Sequence, residues 1–152
     1  MLLNVIFLDI DGVLNPLATD HPHVFSPACV QQLQRILSAS PQTHVVFSTT
    51  WRYGLSFFAL GWLWRQHDLP LGRVLGRTPE LDPSHRGEEI QQWLAQAPRR
   101  SREHQVHRYA ILDDEVEPIL ETLPASSVFA CHPTDGLTPS IAERVIHHFA
   151  NS

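Results

Sequence analysis

The chain contains no lysine; all eleven of its Lys or Arg positions are arginine. Any cationic role in a site therefore falls to a guanidinium, which is always charged and can grip phosphate or carboxylate in a bidentate way. Cysteine is scarce too: Cys29 and Cys131 are too few for a disulfide framework. They read as buried thiols in a reducing, cytoplasmic setting. No stretch approaches the roughly 20 apolar residues of a membrane span. The start of the chain lacks a basic segment, and its apolar run leads straight into Asp9 and Asp11, which reads against a signal peptide. Positive charge is not in excess: the formal net charge of −5 argues against non-specific wrapping of nucleic acid. With no repeat, low-complexity tract or linker, residues 1–152 are expected to form a single domain with a real core. The ten histidines show no metal-site spacing, and His104/His107 and His147/His148 read as surface residues.

What is present is an alternation of apolar runs and amphipathic stretches. Residues 2–8 read as a strand buried on both faces. Ser26-Pro27 starts a helix, with a hydroxyl N-cap followed by proline at the first helical position, and Val30, Leu33, Ile36 and Leu37 form its apolar stripe. Residues 44–47 predict the second strand. Residues 55–64 are apolar almost throughout and predict a well-buried helix. A short strand is expected at 73–75, and then a helix capped by Ser84 that buries Ile90, Trp93 and Leu94. Residues 99–108 read as a solvated basic loop. Strands at 109–112 and 127–130 follow, separated by a short helix at 116–123, and Thr138-Pro139 opens a last helix ending near Phe149. Strands and helices in alternation argue for an α/β fold: a Rossmann-like parallel sheet with helices on both faces.

In such sheets ligands bind beyond the carboxyl ends of the strands. The residues just past each apolar run therefore sample one site. The first strand delivers Asp9 and Asp11, with Gly12 to turn the chain. The second delivers Ser48, Thr49 and Arg52, and the 109–112 strand delivers Asp113 and Asp114. Arg86 stands at a helix start from which its guanidinium can reach inward. Two acids ending a buried strand are costly to desolvate unless a cation offsets them. Mg2+, an oxygen-seeking ion, suits Asp9, Asp11, Asp113 and Asp114 as candidate ligands. The inventory fits phosphoryl transfer. Asp9 is the candidate nucleophile and Asp11 the candidate acid–base. Ser48, Thr49 and Arg86 are candidate phosphate-binding residues, with Ser48 and Arg86 holding the phosphoryl oxygens. Plainer readings stand beside these: Ser48 and Asp113/Asp114 as helix caps, and Arg86 as a surface residue.

Asp-Ile-Asp-Gly-Val (9–13), Val-Val-Phe-Ser (45–48), Arg86 in place of the usual lysine, and Ile-Leu-Asp-Asp (111–114) follow in the order of the haloacid dehalogenase (HAD) superfamily motifs. The chain resembles that superfamily of aspartate-nucleophile phosphatases over nearly its whole length. Ser-Thr-Thr-Trp-Arg (48–52), Arg-Gly-Glu-Glu-Ile-Gln-Gln-Trp-Leu (86–94) and Gly136-Leu137-Thr138 make it similar to the HAD-type domain of Swiss Army Knife RNA-repair proteins. The resemblance implies a Mg2+-dependent phosphomonoester hydrolase working through an aspartyl-phosphate. Asp11 favours phosphatase over dehalogenase, and Arg52 is implied as a second phosphate or substrate contact. The intervals 12–44 and 52–86 leave no room for a cap domain, so an open site is expected. Its substrate is a small phosphorylated molecule or a nucleic-acid phosphate end. The alternatives are a non-hydrolytic phosphate- or metal-binding module, and an interaction protein that forms a homo-oligomer through the aromatic 51–64 segment.

Overall fold

The computed structural model describes residues 2–16, 25–48, 56–81, 85–100 and 105–151. Strands and helices alternate through them: β1 (Leu2–Leu8), α1 (Pro27–Ala39), β2 (Thr43–Phe47), α2 (Phe57–Gln66), β3 (Val74–Arg77) and α3 (Arg86–Arg100). β4 (Gln105–Asp113), α4 (Glu117–Leu120), β5 (Val128–Ala130) and α5 (Pro139–Ala150) complete the order. The five strands form one parallel sheet in the order β3-β2-β1-β4-β5. The chain thus winds outward from β1 to β3, then crosses back to lay β4 on the other side of β1. That reversal opens a crevice at the carboxyl ends of β1 and β4, the place where such sheets bind ligands.

Successive residues of β1 point to opposite faces, and each face has its own core. Ile6 and Leu8, with Val45, Phe47 and Leu112, pack against Leu33 of α1, Trp64 of α2 and Val145 of α5. Val5 and Phe7, with Val46 and Ile111, pack against Ile90 and Trp93 of α3 and Ile119 of α4. Phe7 meets the rings of Trp93 and Tyr109 edge-on at 5.4 and 6.0 Å between centroids. The helix starts use the expected chemistry. Ser26 and Thr138 each accept a backbone N–H from three residues on, and each is followed by proline.

Four elements depart from the sequence expectation. β4 begins at Gln105, and α3 runs to Arg100, so the basic stretch 99–108 is largely helix and strand. The amino-terminal half of β4 owes its conformation to backbone pairing with Leu2–Asn4 of β1, not to an apolar face. Arg108 there donates to the His148 carbonyl at 2.8 Å, near the end of α5, where cations are favoured. His148 is half-buried, its ring against Phe129 and its Nε2 2.9 Å from the Tyr109 carbonyl oxygen. Arg73 precedes β3 and donates to the carbonyls of Leu37, Ser40 and Thr43, closing the end of α1. α2 buries only Leu60, Leu63 and Trp64, while Phe58 and Trp62 are 85% and 61% exposed. Ser84, expected to cap α3, lies outside the described residues.

Candidate active site

Each acid is fixed by the strand that delivers it. Asp9 extends β1 by one residue, its amide donating to the Leu112 carbonyl at 3.0 Å. Its Oδ1 accepts the Ile10 amide at 2.9 Å, and only 3% of the residue is exposed. Asp113 closes β4 with no exposed surface, and its Oδ1 accepts the Glu115 amide at 2.9 Å. Asp114 follows, half-buried. Carboxylate oxygens of Asp9, Asp113 and Asp114 lie within 4.8 Å of one another. Ser48 stands one strand over, its amide bonded to the Leu8 carbonyl. Its Oγ is buried without a hydrogen-bond partner among the described residues, as is one carboxylate oxygen of Asp114.

Arg86, the first residue of α3, reaches into this cluster with its side chain 11% exposed. Its Nη1 lies 2.8 and 2.6 Å from the two carboxylate oxygens of Asp113 and 3.3 Å from Asp9 Oδ2. The surface-residue reading of Arg86 is therefore wrong. Glu89, one turn along α3, is buried, and it accepts the Leu81 amide at 3.2 Å. Sequence reasoning passed over Glu89, although an acid in a first helical turn is a known signal.

The turn after Asp9 is held from two sides. Within it, the amides of Val13, Leu14 and Asn15 converge on the Ile10 carbonyl. Gly12 has φ +79°, and a Cβ there would lie 2.5 Å from the Asp114 carboxyl carbon, so only glycine lets Asp114 come this close. From outside, Leu137 donates to the Val13 carbonyl at 2.8 Å. A Cβ on Gly136 would fall 2.6 Å from that same carbonyl oxygen. The Gly136-Leu137 segment is thus the buttress of the acidic turn. Asp11 sits in this turn, 8% exposed and bridged to Asn15, and is not part of the three-carboxylate group. Thr49 and Arg52 lie outside the described residues.

Burial governs the ionisation of the cluster. It raises Asp9 well above the usual carboxylate range, and the neighbouring charges of Asp113 and Asp114 add to the rise while Arg86 opposes it. Asp113 is pushed up to about 6 by burial, against the pull of Arg86 and the Glu115 amide. Burial depresses Arg86, but the charges of Asp9 and Asp113 outweigh it, so it stays firmly charged. Cys131 is pushed up to about 12, by burial first and then by the charge of Asp113, which makes it an inert thiol. Among the described residues three carboxylates cluster about one guanidinium, and one of their buried oxygens has no partner there. An all-oxygen donor set with surplus negative charge fits a hard divalent cation.

A raised carboxyl pKa stabilises the fold below the unfolded value, near 4, and that contribution is lost as pH rises through the folded value. In chelator, the melting temperature should therefore be higher at pH 5 than at pH 7.5. Millimolar Mg2+ should remove most of the difference, and Asp113→Asn should flatten the profile. A chelator profile flat across this window, identical in Asp113→Asn, would mean that the acids are already offset within the protein.

The family model described as the HAD domain in Swiss Army Knife RNA repair proteins matches residues 5–142. No curated protein and no solved structure matches the chain.

Proposed function

The chain belongs to the family of HAD domains in Swiss Army Knife RNA repair proteins, and from that premise we propose that it is a Mg2+-dependent phosphomonoester hydrolase. The observation that carries this reading is the convergence of Asp9, Asp113, Asp114 and Arg86, with the unpartnered Ser48 hydroxyl one strand away. Asp9 attacks phosphorus, forming an aspartyl-phosphate as the bond to the leaving oxygen breaks. Asp11 gives that oxygen its proton. Asp11 then takes a proton from water, whose oxygen attacks phosphorus and releases inorganic phosphate and the free Asp9 carboxylate. Ser48 Oγ, with no acceptor among the described residues, donates to a phosphoryl oxygen. Arg86 opposes the effect of burial on Asp9 and Asp113 and orients both carboxylates. Asp9, Asp113 and Asp114 would hold the magnesium ion, which supplies positive charge to the phosphoryl group when bound.

The substrate is a phosphorylated small molecule or a nucleic-acid phosphate end, reached through a site with no cap domain among the described elements. Two unpaired thiols support a cytoplasmic setting. No helix among the described residues is long and apolar enough to cross a membrane. The test is a panel of nucleotides, sugar phosphates, aryl phosphates and end-phosphorylated oligonucleotides, with Mg2+ or with chelator. Turnover should fall by at least about a hundredfold in chelator. Mg2+-dependent thermal stabilisation with no turnover of any ester would make the site a non-hydrolytic binding module.

A further inference from the structure

Beside the acidic crevice, α2 leaves an aromatic face uncovered. Phe58, Trp62 and Arg65 are spaced i, i+4 and i+7 and share one side of the helix. All three are exposed. With Phe47, Phe57 and Leu71 they line an open groove of about 290 Å³. Phe57 is 41% exposed, packs edge-on to Phe47 at 6.1 Å, and carries the Arg77 guanidinium 5.9 Å from its ring centre. Arg77 has Glu80 at 3.8 Å, an exposed pair too weak to remove it from other anions.

Phe47 links the groove to the site, lining the one and preceding Ser48 of the other. Phe47 pairs with Leu8 on one side and with Arg77 on the other, so Asp9, Ser48 and Arg77 sit at one edge of three neighbouring strands. Two strand spacings, roughly 10 Å, separate the strand of Asp9 from that of Arg77. From there the aromatic face runs along α2, a helix roughly 15 Å long.

We propose that this groove holds the terminal bases of a single-stranded nucleic acid whose end phosphate is presented to the carboxylate site. The placement of the phosphate rests on the hydrolase reading; the groove itself does not. Exposed rings accept any base by stacking, and arginines beside them take the intervening phosphates, a combination that binds single strands without sequence preference. Phe58 and Trp62 are the stacking platforms, and Arg77 and Arg65 the cations at either end. A mononucleotide would fill the near end and leave Arg65 without a phosphate. A two-fold contact between copies would set each patch against itself, arginines included.

The test uses the full chain as Asp9→Asn, which binds without turning over. Fluorescence anisotropy with a single-stranded octanucleotide, phosphorylated at one end and labelled at the other, reads the affinity. Phe58→Ala/Trp62→Ala should weaken binding at least about tenfold, and Trp62→Phe should hold it within about threefold. Arg65→Gln should lower the salt slope by about one. Unchanged binding in the double alanine variant overturns the proposal. So does a phosphorylated mononucleotide binding as tightly as the strand, or a dimer that Trp62→Ala dissociates without changing oligonucleotide affinity. Because no turnover is read, failure of every ester in the hydrolysis panel leaves this result standing. Intact hydrolysis with indifferent aromatic variants overturns the groove alone.

Discussion

Replacing Asp9 with asparagine should lower phosphate-ester turnover by at least about 10⁴-fold while the protein stays folded. The amide keeps the shape of the carboxylate, and its oxygen can still accept the Ile10 amide as Oδ1 does. What it loses is the charge that attacks phosphorus. Stability should not suffer, because Asp9 is one of three clustered acids that repel one another, and Arg86 keeps both of its contacts to Asp113. Melting temperature in chelator at pH 7.5 should therefore match or exceed that of the parent chain. Aryl-phosphate turnover with Mg2+ and thermal melting on the same preparation decide the matter. Turnover within tenfold of the parent, from a folded protein, would rule out Asp9 as the nucleophile.

The parts of this site that were legible in the sequence are those set by local rules. A strand buried on both faces must be apolar, so the change to Asp9, Ser48 and Asp113 marks where three strands leave the core. Ser26-Pro27 and Thr138-Pro139 declare their helices by their own capping chemistry. Contacts between distant segments carry no such signature. The approach of Gly136 to the Val13 carbonyl, and of Gly12 to Asp114, depends on how two turns meet across more than a hundred residues of chain. The start of β4 was missed for another reason: its polar side chains look like loop, and only the backbone of β1 makes them strand. In α2 the apolar composition suggested full burial, but composition does not say which face the sheet covers. Phe58 and Trp62 face away from it.

Arg86 shows the same limit within the site, and its removal is the second large effect. A phosphate-binding role follows from its position at a helix start, but the geometry places its Nη1 against Asp113 and Asp9 before any substrate arrives. Arg86→Met keeps much of the volume and removes the guanidinium that these two buried acids face. Breaking a buried pair by removing one partner costs about 3–5 kcal/mol, because a charge is left uncompensated. That loss is expected in chelator at pH 7.5, read by urea denaturation. At pH 5 it should shrink, since the acids then take up protons. Without Arg86 to oppose burial, the pKa values of Asp9 and Asp113 rise further. The stability lost on raising pH then extends over a wider window, upward from the same unfolded value near 4. Mg2+ should restore part of it by standing in for the missing charge. If instead Arg86 served only to grip substrate, Arg86→Met would raise KM and leave the denaturation curve in place. An unchanged urea midpoint at pH 7.5, with a raised KM, would hand the offsetting of the acids to the metal alone.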